Sequence, residues 1–249
     1  SLADYLPQLD TLMFQKDLGS VLDKTQRIRE LVADLAPQLG MNAEQVLVGQ
    51  RAAELCKADL VTQMVVEMTS LQGTMGRYYA LNSGEPSPVA DAIFEHYLPR
   101  SAGDQAPKSL PGLAVGLADR LDSLAGLFAV GLAPSGTKDP FGQRRAALGV
   151  VGNLMEWRQD FDLREALQAA ATRLPRELTL EDLENCLTFI VERQRNLLLE
   201  LGEPFDVIDA VLSAQGHNPY RASQAVAALS VWVKKPDWDT ILPAYARCV

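Results

Sequence analysis

Residues 18–40, LGSVLDKTQRIRELVADLAPQLG, decide the fold class. Leu18, Val21, Leu22, Thr25, Ile28, Val32 and Leu35 recur three or four apart, which places them on one face of a helix. Pro37 and Gly40 supply the stop. The same helical period returns along the chain. Ala43 to about Thr69 reads as a second helix, with Val46, Leu47, Leu60, Met64 and Met68 among its apolar positions. Val89–Leu98 reads as a third and Leu113–Gly131 as a fourth, broken by Pro134-Ser135-Gly136. Asp139-Pro140, Glu203-Pro204 and Asn218-Pro219 each put proline where a first helical turn tolerates it, because the N–H it lacks had no partner there. Thr179 followed by Asp182 resembles a capping box and opens a long helix through Leu201. No run sustains period-two alternation with a hairpin turn. The sequence predicts an all-α protein.

Composition supports this. The chain has 249 residues, 47% of them apolar and only 6% aromatic. Leu and Ala dominate, which favours helix over strand. Asn82–Pro88 and Ser101–Pro111 are rich in turn formers and read as loops. Charge and proline interrupt the pattern at Leu174-Pro175-Arg176-Glu177, giving an expected division into a helical domain over 1–175 and a smaller helical segment over 176–249. No fixed-period repeat and no low-complexity tract is present.

No segment approaches 18 consecutive apolar residues, so no membrane span is expected. The start, Ser1-Leu2-Ala3-Asp4, has neither a basic leader nor an apolar signal core. Cys56, Cys186 and Cys248 form an odd, widely spaced set without metal-ligand spacing, as expected for reduced, buried thiols in a cytoplasmic protein. The net charge of −9 argues against a general nucleic-acid or DNA binder, yet leaves room for a local basic surface.

His96 and His217 are the only histidines, so a Ser-His-Asp triad could be built only around one of them, and no Gly-x-Ser-x-Gly elbow accompanies them; a structural or solvent-exposed role is expected for each. Gly131-Leu-Ala-Pro-Ser-Gly136-Thr137-Lys138 imitates a phosphate loop. However, Thr137 separates the second glycine from the lysine, Asp139 follows it, and the preceding segment is helical rather than a strand. Asp59 and Asp119 stand in apolar helical stretches, where a carboxylate is costly unless it is paired or bound to metal. The residues themselves leave two readings: a place on the helix flanks or pairing with Arg120, Lys57 or another cation, which is the favoured one, or ligation of a divalent ion. No further imidazole accompanies them to fix and activate such an ion. Lys138, Arg144 and Arg145 cluster around Pro140, and Arg144 and Arg145 cannot both face the core.

These residues lie in recognisable blocks. Cys56–Val65 (CKADLVTQMV), Leu71–Ala80 (LQGTMGRYYA), Phe94–Pro99 (FEHYLP), Leu117–Asp122 (LADRLD), Thr137–Phe141 (TKDPF), Arg144–Gly149 (RRAALG) and Phe205–Leu212 (FDVIDAVL) resemble, in order, the β subunit of bacterial glycyl-tRNA synthetase. The resemblance covers most of the chain. It implies a helical domain similar to the HD phosphohydrolases, whose metal is held by a His, a His-Asp pair and a final Asp. Ala58-Asp59 stands where that family has His-Asp, Asp119 stands at the final Asp, and a residue near Lys24 replaces the first His. The chain departs from the hydrolase pattern at both histidines, so no metal is expected here.

The resemblance further implies a part in charging tRNA(Gly), with glycine activation by ATP and Mg²⁺ assigned to the α subunit and no cofactor in this chain. It implies that the chain is an excised piece whose second segment leads into an anticodon-binding domain. The leading expectation is a non-catalytic tRNA-contacting module, with Lys138, Arg144 and Arg145 foremost, then Arg77, Lys57 and Arg120. The alternatives are a residual HD-type phosphohydrolase using Asp59, Asp119 and His96, and a structural domain that docks the α subunit.

Overall fold

The computed structural model describes residues 1–101, 103–236 and 238; Cys248 and the end of the expected second segment lie outside them. A ten-residue 3-10 turn (Leu2–Thr11) leads into a small antiparallel hairpin, β1 (Met13–Gln15) and β2 (Gly19–Ser20). Eleven α-helices follow among the described residues. α1 (Val21–Leu39), α2 (Ala43–Leu55), α5 (Ser87–Glu95), α6 (Leu110–Ala129), α7 (Gln143–Glu156), α8 (Leu163–Ala171) and α9 (Leu180–Glu200) build the main core, with α3 (Gln63–Glu67) and α4 (Thr74–Asn82) beside them. α10 (Phe205–Gln215) and α11 (Pro219–Trp232) pack on the end of α9 around a smaller apolar cluster. The fold is predominantly helical, and no helix among the described residues is long and apolar enough to cross a membrane.

α6 runs through the centre. Leu113–Ala118 are buried as a continuous run, as are Leu124–Phe128, because α1, α2, α5, α7, α8 and α9 surround the helix. A helix enclosed on all sides is apolar all round, so Asp119, Arg120 and Asp122 stand out as exceptions. On α1, Lys24, Ile28, Leu31 and Leu35 share the face turned inward. The apolar core does not stop at residue 175: Leu183, Cys186, Leu187 and Ile190 of α9 belong to it.

Helix starts follow the local chemistry. Ser20 caps α1 by accepting from Asp23 N–H at 3.2 Å, and Thr179 caps α9 by accepting from Asp182 N–H at 3.1 Å. Pro219 takes the first position of α11 behind its cap Asn218. α7 begins later than Pro140 suggests. Asp139 reaches forward to accept from the N–H groups of Gln143 (2.8 Å) and Arg144 (2.9 Å), so the helix opens at Gln143.

The largest departure from the sequence reading lies between residues 55 and 74. The single helix expected over Ala43–Thr69 ends at Leu55, and the chain proceeds by short turns, α3 and the sharp corner at Gly73 (φ +75°). Apolar side chains continue through this stretch and mimic a helical period. The bends let Lys57 and Asp59 turn to different partners.

Candidate functional site

Lys57, Asp59, His96 and Asp119 come together where α5 and α6 meet the irregular segment after α2. They do not form a metal site. Asp119 Oδ2 accepts from Lys57 Nζ at 2.7 Å, and its Oδ1 lies 3.0 Å from Lys24 Nζ. Lys24 continues to Asp122 Oδ2 (2.9 Å) and to Ser123 Oγ (2.7 Å). Arg27 closes the far end, with Nε donating to Asp122 Oδ1 at 2.6 Å and Nη1 donating to the Leu18 carbonyl at 2.9 Å. The result is a buried chain of alternating charge, Arg27–Asp122–Lys24–Asp119–Lys57.

Burial works against the charges of Lys57 and Asp119. Each nevertheless holds the other ionised: Asp119 raises the Lys57 ammonium pKa, and the two lysines keep the Asp119 carboxyl well below the usual carboxylate range. His96 ends the chain as a neutral acceptor. Its Nε2 lies 3.0 Å from Lys57 Nζ and its Nδ1 meets the Ile93 carbonyl. The ammonium can only donate, so Nδ1 carries the proton. Burial and the neighbouring Lys57 charge push the His96 pKa well below its ordinary value.

A divalent ion beside Asp119 would face two ammonium groups with one carboxylate and one imidazole already engaged. The donor set does not fit a metal. Among the described residues no group of three or more His, Cys, Asp or Glu is placed to hold one.

Asp59 does something different. Its Oδ2 accepts from Gly73 N–H (2.6 Å) and Gly76 N–H (3.0 Å), closing the start of α4, while Oδ1 is buried without a partner. Burial raises its pKa against those two hydrogen bonds. The signs of the two acids therefore differ. The depressed pKa of Asp119 gives stability that is present above about pH 4 and lost as pH falls through the folded value. Asp59, with a raised pKa, costs stability above its folded value, a cost relieved by protonation. Asp59→Asn is expected to stay within about 1 kcal/mol of wild type at pH 7, with the difference vanishing near pH 3. Thermal unfolding at both pH values checks this, and a large loss at pH 7 would contradict it.

Arg120, at the next position after Asp119, is also committed inward. It donates to the carbonyls of His96 and Gly116 (2.9 Å each), Leu98 (2.9 Å) and Tyr97 (3.3 Å), satisfying the end of α5. Its stem passes Gly149, where an added Cβ would lie 2.6 Å from Arg120 Nε. Gly149→Ala on α7 should therefore displace this guanidinium and lower the unfolding midpoint, although alanine favours helix by about 1 kcal/mol. A raised midpoint would contradict the packing described.

Above this layer opens a cavity of about 280 Å³, lined in part by His96, Asp119, Arg120, Arg100, Gln143 and Arg145. Of the cations expected on a surface, Lys138 and Arg145 are exposed and Arg144 is partly so. Arg144 Nη2 donates to the Gly136 carbonyl at 2.6 Å. Arg77 lies on α4, paired with Asp91 at 2.7 Å, and does not line the cavity. Lys57 and Arg120 are internal to the site. Arg100, Asp122 and Arg27 complete it without having been singled out. A signal for two of them was present: Lys24/Arg27 and Asp119/Asp122 are matching pairs three residues apart on facing helices.

Cys56 and Cys186 are buried free thiols, and burial pushes the Cys56 pKa up to about 12. His217 lies in a loop with its Nε2 3.9 Å from Asp162.

The arrangement is that of a helical domain with a cation-lined cavity over a layer of alternating buried charges. This chain belongs to the family described as glycyl-tRNA synthetase beta subunit, whose model matches residues 1–213. It is 42% identical over 250 residues to a glycine–tRNA ligase beta subunit from Clostridioides difficile, covering 99% of this chain and 36% of that protein. It is 44% identical to the subunits of the same name from Hahella chejuensis (94% of this chain, 33% of that protein) and Aromatoleum aromaticum (98% and 35%). The chain thus spans about a third of the length of these relatives.

Proposed function

We propose that this chain is a tRNA-contacting module of glycine–tRNA ligase that carries no catalytic centre of its own. On this reading it works in the cytoplasm, and the α subunit activates glycine with ATP and Mg²⁺. One observation carries the proposal. The cations buried beside the acids are consumed by them, whereas Lys138 and Arg145 stand exposed on the segment bordering the cavity, with Arg144 between. Such cations position RNA through phosphate and sugar contacts without reading sequence. Lys57 and Arg120 then act as positioning residues beneath that surface, and Arg77 as a peripheral contact. The residual phosphohydrolase reading lacks support from the donor set around Asp119.

Reversing charge at Arg144 and Arg145 in the assembled ligase should raise the KM for tRNA about tenfold and leave glycine-dependent ATP–pyrophosphate exchange intact. Unchanged tRNA kinetics would remove the assignment. A docking role for the α subunit remains the second reading. It is favoured by the exposed Met64, Val66, Met68 and Tyr78 on the α3–α4 side, where Val66 is 63% exposed.

A further inference from the structure

The cavity above Asp119 holds an unusual excess of positive charge for a chain of net charge −9. Three guanidiniums line it, and none has a carboxylate partner among the described residues. The exposed Arg145 guanidinium has no hydrogen-bond or ion-pair partner among them. Arg120 spends its donors on main-chain carbonyls. Arg100 donates to the Gln72 carbonyl at 2.7 Å and lies over the Tyr97 ring, 5.3 Å from its centre. Beneath them, the one carboxylate on the floor, Asp119, is already shared by Lys24 and Lys57.

A polar and an aromatic side chain complete the lining. Gln143 lines the same cavity and is 1% exposed. Its Nε2 donates to the Leu132 carbonyl at 2.7 Å, while its Oε1 is buried with no partner. Phe141, 40% exposed, lines the cavity as well and offers an aromatic face.

We propose that this cavity binds a terminal phosphate monoester, which Arg100 and Arg145 would receive. At about 280 Å³ the space is below the usual range for a whole drug-sized ligand. It suits the end of a chain rather than a run of backbone. A monoester carries about −1.5 to −2 charges at pH 7 against one for an internal phosphodiester, so it gains more from uncompensated guanidiniums. The same chemistry is offered by the 5′ end of an RNA and by a free nucleoside monophosphate. The RNA source rests on the tRNA-contact reading above.

Arg145 is the variant of choice because it is exposed and has no internal partner to lose. In the assembled ligase, tRNA bearing a 5′-phosphate should bind about tenfold more tightly than the same tRNA with a 5′-hydroxyl. Arg145→Gln should abolish that ratio. Guanosine 5′-monophosphate, measured by equilibrium dialysis against the same assembly, tests the other source. Retention by wild type and loss in Arg145→Gln would assign the cavity to free nucleotide. The proposal is overturned if both tRNA ends bind alike and the nucleotide is not retained, or if the effects persist unchanged in Arg145→Gln. If charge reversal at Arg144 and Arg145 weakens tRNA binding whatever the 5′ end, the tRNA-contact reading stands and the terminal-phosphate site falls.

Discussion

Replacing Asp119 with alanine should be the most damaging single change in this domain, costing about 3–5 kcal/mol, the scale for removing one partner of a buried ion pair. Lys24 would keep Asp122 and Ser123 as acceptors. Lys57 would keep only the His96 nitrogen and the face of Tyr97, 4.4 Å from its ammonium. The loss is therefore chiefly that of a stranded, buried ammonium, and a second change should relieve it. Lys57→Met removes the charge while retaining an unbranched chain of similar length, so Lys57→Met/Asp119→Ala should recover a good part of the stability lost in Asp119→Ala. Thermal or denaturant unfolding of the four members of this cycle measures the coupling. A double variant less stable than Asp119→Ala would show that Lys57 does not owe its placement to that carboxylate.

Arg120→Ala should have the second largest effect, about 2–4 kcal/mol, since it removes charge-assisted bonds to four carbonyls and the packing beside Gly149. Lysine is a poor substitute here. A guanidinium reaches carbonyls both on α6 and just after α5 with a rigid planar fork, whereas an ammonium is a point donor. Arg120→Lys should therefore lie much nearer to Arg120→Ala than to wild type in unfolding midpoint. Full rescue by lysine would mean that charge alone, rather than the fork, holds the end of α5.

The helical class was legible because the apolar period of α1 and α6 is long and regular, and because Thr179 and Asn218 sit at true helix starts. The break after Leu55 was not legible. Leu60, Met64 and Met68 preserve a helical spacing across it, while the cause of the break is tertiary: Asp59 must reach the amides of Gly73 and Gly76, and Lys57 must reach Asp119. The partners of Lys24 were not legible, because a lysine looks like a surface residue until a helix nearly a hundred positions away supplies its acids. The same limit applied to the cations. Lys57 and Arg145 look equivalent in sequence, but one is buried against Asp119 and the other is exposed beside a cavity.

Amide hydrogen exchange of the assembled ligase, with and without tRNA, tests the central claim most directly. The account predicts that tRNA slows exchange in residues 136–149 and around 96–100, the segments bordering the cavity, and leaves residues 63–71 unchanged. Protection confined to 63–71 or absent from the whole chain, with 136–149 exchanging at the same rate in both states, would contradict it.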